Sequence, residues 1–552
     1  MKINEEKLST VIDSIEDFAR RKIADYDPKS DVSYIDNSDY NLRKMKKSNN
    51  NIIEARRGCG KTTLILKSIS ENPDCICITQ DCQLFKDYSY SKIIIGLLTT
   101  INNGIINELS QTISELKKEK ILFFFYKSRN EIQLIKKLIE KASTIEQKFN
   151  EINKLPDELV FEYANSTNNE FKNNINFETS SSLNMNSSLE LQYSQDFTKL
   201  NSKLNASFDF IAKQNLEEKE SKNTQLKYIG SQKITKNDLL EDLKMLFIVF
   251  IKMAYEKTKK GMYLYLDDFY MINKTLHPSI LKYFHDLYKV TKKGAFCFKI
   301  VTLPSSLQLN SGRDKTFSVK DDYSLIQLDY DLSNLDQTQT HLFDIIKSLS
   351  KIDISKSEFE SLFSDDKTLK ELIIATGGIP RDFMKAFGEA VRIANRDSHN
   401  TIHKKDIYEV VKNLKEDKDR NIEIDSELSR DSIEIAINEL VDSLENKIKT
   451  NVILYPIEIA EKHEQLLKNL VNLRYLHLIK DKVSSRNKKN YRAYLVDMTF
   501  YATGNMSKNI EFCEFWKKDE QRHLDNLRKS PEWHFSDETI KQIETIELEQ
   551  KA

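Results

Sequence analysis

The run Ala55-Arg56-Arg57-Gly58-Cys59-Gly60-Lys61-Thr62, continued by Thr63, has the residue types that hold a polyphosphate. Successive backbone N–H groups must wrap the phosphate oxygens, and Gly58 and Gly60 permit so tight an approach. A short apolar step at 52–53 precedes the run, and Leu64, Ile65 and Leu66 follow it, so the pattern is strand, loop, helix. Such a helix points its positive end at the phosphates. Lys61 would reach the outer phosphates, and the Thr62 hydroxyl could ligand Mg²⁺. The expected ligands are therefore ATP and Mg²⁺. An ordinary glycine-containing turn is the plainer alternative, and the flanking strand and helix argue against it.

A second cluster closes the apolar run Met262-Tyr263-Leu264-Tyr265-Leu266 with Asp267-Asp268. A strand buried on both faces reads as a continuous apolar run. Its C-terminal end is where an open α/β sheet places its ligand. Because side chains alternate, Asp267 is assigned to the Mg²⁺ water shell and Asp268 to the attacking water. The plainer alternative is a solvated pair capping the next turn. A third cluster is Gly377-Gly378-Ile379-Pro380-Arg381-Asp382-Phe383, where glycines end one helix and proline opens the next. Arg381 then stands at a helix N-terminus, where a cation costs roughly 0.3–1 kcal/mol. A nucleotide phosphate would relieve that cost, and so could Asp382.

These residues need elements to position them. Further strands are expected at 75–79, 296–303 and 324–332, and helix at 5–24, where Leu8, Ile12, Ile15 and Phe18 fall at helical spacing. Residues 91–158 and 336–415 read as largely helical, and a helix is expected at 236–257. Between Asn165 and Asn205 lie ten asparagines and eight serines. The apolar residues there are phased: Leu183, Met185, Leu189, Leu191 and Tyr193 are all odd, and Leu200, Leu204, Ala206, Phe208 and Phe210 all even. Alternation in two runs predicts a β-hairpin, with a low-complexity loop as the alternative. The segment 430–500 has helices at about 431–448 and 457–473, then strands at 476–482 and 491–498, the plan of a winged helix. Its turn and flanks hold Lys480, Lys482, Arg486, Lys488, Lys489 and Arg492 against Asp481 alone. A wing this basic could track the phosphates of duplex DNA without reading sequence. A solvated hairpin used for protein contacts is the alternative.

Taken in order, Ala55–Thr62, Leu264–Asp268, a strand ending at Thr302 and Gly377–Phe383 resemble the motif series of AAA+ P-loop ATPases, over about residues 35–505. The likeness is greatest to the origin-recognition-type branch, including bacterial relatives associated with phage defence. The resemblance implies a Walker A loop, a Walker B pair, Thr302 as sensor 1 and Arg381 as sensor 2. It also implies an α/β fold with a three-layer P-loop core on a parallel sheet, a helical lid, a C-terminal winged helix that binds DNA, and an α+β insertion between the Walker motifs. In a homo-oligomer an arginine finger would reach a neighbour's γ-phosphate, and Arg313, in Asn310-Ser311-Gly312-Arg313, is the candidate. Three features depart from the pattern. Ala55 replaces the usual first glycine, Asp268 stands where many such ATPases have Glu, and roughly 200 residues separate the two Walker motifs. The shorter Asp268 implies slow hydrolysis.

The expected units are an N-terminal helical segment (1–48), a nucleotide-binding core (49–335, with an insertion at about 101–240 and the hairpin at 171–212), a lid (336–418), a winged helix (425–505) and a helical tail (506–552). Length fits several units. The charge is balanced, 84 basic against 85 acidic residues, so a nucleic-acid role must rest on a local patch. No apolar run reaches the 18 or so residues that cross a bilayer, and Met1–Ile12 is charged throughout, so a soluble cytoplasmic protein with no membrane partner is expected. Six cysteines are few for the length, and Cys75 and Cys77, which could share one face of a strand, have no histidine near them, so reduced core thiols are expected rather than a zinc site. Two functions follow. One is an ATPase that binds DNA and changes conformation or assembly with nucleotide. The other is a nucleotide-gated sensor or scaffold that regulates a companion effector protein without touching DNA. A degenerate ATPase holding ATP as a structural ligand is a third, blander reading.

Overall fold

The computed structural model describes residues 11–14, 33–36, 40–118, 125–156, 158–163, 189–221, 230–304, 306–310, 321–329, 332–350, 354–420, 422, 426, 428–484, 489–502, 509–516 and 525–550. Of the helix expected over 5–24, only 11–14 fall among them, and these are helical.

In chain order the strands are β1 (Asn51–Glu54), β2 (Cys75–Asp81), β3 (Glu158–Tyr163), β4 (Gly230–Thr235), β5 (Gly261–Asp267), β6 (Phe296–Thr302), β7 (Ser324–Gln327), β8 (Val452–Pro456), β9 (Leu476–Ser484) and β10 (Asn490–Val496). Five of them form one parallel sheet in the order β2-β5-β6-β1-β7. β5 and β6 are buried along their whole length, as their unbroken apolar runs require of central parallel strands. The register sets Glu54 beside Thr302 and Asp81 beside Asp267. Because β6 lies between β1 and β5, Thr302 comes between the loop after β1 and the aspartates after β5.

The two faces of β5 divide by alternation. Tyr263 and Tyr265 pack with Leu64 and Ile65 of α1 (Lys61–Ser70). Leu264 and Leu266 pack with four long helices on the other face: α2 (Tyr90–Lys118), α3 (Phe125–Lys154), α4 (Leu189–Ser221) and α5 (Lys236–Thr258). Thr235 starts α5 with a capping box, its hydroxyl accepting from Asp238 N while the Asp238 carboxylate accepts from Thr235 N. Here the expected hairpin over 171–212 is overturned in its described part. Leu189–Ser221 is a single helix. Phe197, Leu204 and Ile211 are buried, and Tyr193, Leu200 and Phe208 pack beside them. Those six positions are spaced by three and four, the period of one helix face. Residues 171–188 lie outside the described ones. The insertion does carry paired strands, but they flank α4 rather than forming it: β3 and β4 run antiparallel from Glu158↔Thr235 to Tyr163↔Gly230.

After α6 (His277–Val290), the chain continues as α7 (Leu335–Ser350), α8 (Asp366–Ala375), α9 (Pro380–Arg396), α10 (Lys404–Arg420) and α11 (Arg430–Ser443). The C-terminal module then runs β8, α12 (Ile457–Lys462), α13 (Glu464–Asn472), β9 and β10, with antiparallel strand order β8-β10-β9. The single helix expected at 457–473 is two, divided at His463, whose Nδ1 lies 2.7 Å from the Tyr455 hydroxyl. The tail covers the β8 edge: Leu454 N donates to Pro531 O at 2.9 Å and Trp533 N to Leu454 O at 3.1 Å. Trp533 and Phe535 are buried against Tyr455, and α14 (Asp537–Glu549) packs on α11. The helices after α6 and the C-terminal module share one continuous hydrophobic core. Among the described residues no helix is long and apolar enough to cross a membrane.

Candidate functional site

The loop after β1 has the backbone its glycines allow. Gly58 and Gly60 hold φ of 89° and 86° in the left-handed region. Gly60 caps α1 and accepts from Leu64 N at 2.9 Å. Ala55 is fully buried, donates its N–H to Thr302 O at 3.3 Å, and is not among the residues with positive φ. Its methyl group therefore meets no backbone penalty at the position where glycine is usual.

Lys61 is buried, and its Nζ donates to Ala55 O at 2.8 Å and Arg56 O at 3.1 Å. Burial lowers its pKa, a shift opposed chiefly by Asp268. The Thr62 hydroxyl donates to Asp267 Oδ2 at 2.8 Å. Asp267 Oδ1 in turn accepts the Asp268 N–H at 3.0 Å. Burial, and then the neighbouring Asp268, push Asp267 up to about 6. Asp268 itself takes φ 50°, which turns the chain sharply off the end of β5. A hydroxyl and a carboxylate from separate elements thus converge beside a lysine. This donor set fits Mg²⁺, which is bound through one or two carboxylates together with phosphate oxygens. Thr62 and Asp267 would hold such an ion, which would supply positive charge to offset that of a phosphate.

The Gly377–Phe383 segment lies directly on the loop. Arg381 N donates to Gly58 O at 3.2 Å, and a Cβ on Gly58 would stand 2.9 Å from Ile379 Cγ2 and 3.0 Å from Arg381 Cβ. The Arg381 guanidinium makes only a loose ion pair with Asp382, 3.7 Å from Nε to Oδ1. Asp382 is taken up by Arg474. Thr302, fully buried at the end of β6, turns its hydroxyl to Leu303 O at 3.3 Å. A cleft opens beside the loop between Tyr34 and Ile35 of the N-terminal segment, Gly60 and Thr63, His341 of α7 and Met384 of α9. Its placement next to the glycine loop suits the base of a nucleotide.

Sequence reasoning missed three partners of the loop. Asp329, just past β7, accepts from Arg56 N at 3.0 Å and from the Cys59 thiol at 2.8 Å. Tyr270 accepts from Arg57 at 3.0 Å through its hydroxyl. His477 of β9 lies 3.1 Å from Arg56 NH1. Of the basic residues on the C-terminal hairpin, Lys482 and Lys489 are exposed and Lys480 and Arg492 half-buried. Arg486, Lys488 and Arg313 lie outside the described residues.

No family model matches the chain, and no curated protein does. Several solved structures do. Cdc6p from Pyrobaculum aerophilum aligns at 13% identity over 83% of this chain and 85% of its own, with a TM-score of 0.29. The ORC2 protein of Aeropyrum pernix, solved in ADPNP–ADP complexes, aligns at 12% over 47% and 67%, with a TM-score of 0.26. The RuvB Holliday junction branch migration motor of Thermotoga maritima aligns at 11% over 47% and 82%, with a TM-score of 0.21. At those scores the likeness carries no chemistry across, and the site stands on its own geometry.

Proposed function

We propose that this chain is an ATP-dependent AAA+ ATPase whose C-terminal module, a winged helix, binds duplex DNA and whose conformation or assembly changes with nucleotide. The observation that carries the ATPase reading is the 2.8 Å contact between Thr62 and Asp267, made beside Lys61 with the Arg381 segment lying on Gly58. Lys61 binds the outer phosphates, Thr62 and Asp267 take Mg²⁺, Asp268 orients water, and Thr302 and Arg381 sense the γ-phosphate. Arg313 is the candidate to act across a homo-oligomer interface.

The DNA reading rests on the order helix, strand, two helices and hairpin, and on the exposed Lys482 and Lys489. Titration with labelled ATP and with duplex DNA tests both parts. Lys61→Ala should abolish ATP binding while the fold survives. Neutralising Lys488, Lys489 and Arg492 together should weaken DNA binding and flatten its salt slope by about two to three. Unchanged DNA affinity sinks the DNA reading and favours the second one, a nucleotide-gated sensor or scaffold that regulates a companion effector protein without binding DNA. That alternative draws on the helical insertion, from which none of the cleft-lining residues comes.

A further inference from the structure

A ring of buried charged and polar groups joins the phosphate loop to the C-terminal module. Arg56 NH1 lies 3.1 Å from His477 Nδ1, and its NH2 donates to Gly377 O at 3.1 Å. His477 Nε2 lies 2.8 Å from Asp497 Oδ2. Lys418 of α10 reaches the same Asp497 oxygen at 2.6 Å and also donates to Arg474 O at 3.1 Å. Arg474 pairs with Asp382, and the ring closes on the loop through its neighbour Arg381, whose N–H donates to Gly58 O at 3.2 Å. All six side chains are buried, with His477 1% and Asp497 0% exposed.

The chemistry of this ring is directional. A guanidinium can only donate, so His477 Nδ1 must accept from Arg56 and Nε2 must carry the proton it gives to Asp497. The imidazole is therefore neutral, and burial pushes its pKa down to about 4. Burial would raise Asp497, but Lys418 and the hydrogen bond from His477 hold it well below the usual carboxylate range. The fit is also steric. Gly377 has φ 60°, and a Cβ there would stand 2.3 Å from the His477 ring. Only glycine lets the imidazole reach the loop. A buried ion network of this kind is costly unless every member is satisfied, and fixing one arrangement is its best-attested use.

The loop end of the ring is where phosphate acts. Lys61 Nζ rests on the carbonyls of Ala55 and Arg56. A phosphate that recruits Lys61 takes that donor from the Arg56 peptide, whose side chain is the start of the ring. We infer that His477 and Asp497 are positioning residues for the phosphate loop, and that through Arg56 the seating of the C-terminal module on the loop is coupled to nucleotide occupancy. The proposal rests on the nucleotide-site reading and does not depend on DNA. It makes the module part of the nucleotide site, with any ligand of the module able to alter nucleotide affinity and the reverse by the same factor.

Hydrogen exchange on the full chain, with and without Mg²⁺–ATP, tests it. In the wild type, nucleotide should slow exchange by about fivefold or more in β9 and β10, over 400 residues from the loop in sequence. His477→Phe keeps a planar aromatic side chain and removes both ring nitrogens; it should weaken ATP binding by about fivefold or more and erase the protection of β9 and β10. His477→Asn, which can offer a carbonyl oxygen at the Nδ1 position, should recover part of both. Wild-type protein that binds ATP without any change in β9 and β10 overturns the coupling alone. Wild-type protein that binds no ATP overturns the nucleotide site and the coupling with it.

Discussion

Asp267 sits where folding and binding pull in opposite directions. It is buried at the end of β5 with Asp268 beside it, and both facts favour the protonated acid. Its pKa in the folded chain, about 6, lies above the ordinary 3.8. The sign follows from which state binds the proton. Below about pH 3 the residue is protonated in both states and its folded environment costs nothing. As the pH rises from about 4 through 6 that advantage is lost, and at pH 7.5 the ionised carboxylate costs on the order of 3 kcal/mol. A bound divalent cation reverses the balance by favouring the charged form. Asp267→Asn should therefore raise the melting temperature without ligand at pH 7.5 by about 2–4 °C and leave it unchanged at about pH 3. It should also remove the stabilisation that Mg²⁺–ATP gives the wild type. In the wild type, Mg²⁺–ATP affinity should climb as pH rises through about 6, because ion binding expels the Asp267 proton. Thermal melts and ATP titrations at three pH values check both, and an Asn variant that melts lower at pH 7.5 would mean Asp267 is structural.

At the scale of elements, α4 shows where sequence patterns stop discriminating. Leu200, Leu204 and Phe208 are four apart, so they satisfy an even-number alternation and a helix face alike. What separates the readings is Phe197 and Ile211, odd residues on the buried face that a strand would turn to solvent. Leu204→Ala should cost about 2–4 kcal/mol in chemical denaturation, whereas Asn205→Ala, on the exposed side, should stay within about 0.5 kcal/mol. Equal effects at the two positions would contradict the helix. By contrast β5 and β6 were legible, because a strand buried on both faces has to be apolar at every position and its neighbours in the chain announce its end. The strand, glycine loop and helix around Gly58, Gly60, Lys61 and Thr62 were legible for a similar reason: the pattern that forms them is local to a few residues. β8 was not, since Val452–Pro456 is short and runs straight into the helix that starts at Ile457. His477 was not either. Its partner Arg56 is 421 residues away, and nothing beside a histidine in a strand announces such a contact.

At the scale of the whole molecule, the lid and the C-terminal module are one packed body, although the sequence reads as separate units at 336–418 and 425–505. Phe359, Phe387 and Leu372 of the lid belong to the same core as Tyr455, Leu476 and Phe500 of the module. Polar contacts cross the same junction: Lys418 to Asp497, Tyr475 to Asp419 at 2.7 Å, and Arg474 to Asp382. A junction this apolar does not behave as a linker between independent domains. A chain ending at residue 428 would expose the lid's half of that core. It would also strip Arg56 of His477 and leave Asp382 buried beside Arg381 without Arg474. Loss of one charge-assisted hydrogen bond is worth about 1.5–3 kcal/mol, so ATP affinity should fall by about tenfold or more even where the shortened chain remains folded. Exposed apolar surface should also make it bind a hydrophobic dye and lose its sharp thermal transition. Were the shortened chain to melt cooperatively and bind ATP as tightly as the full one, the lid and the module would be separate units, and the module would be an appendage rather than a wall of the nucleotide site.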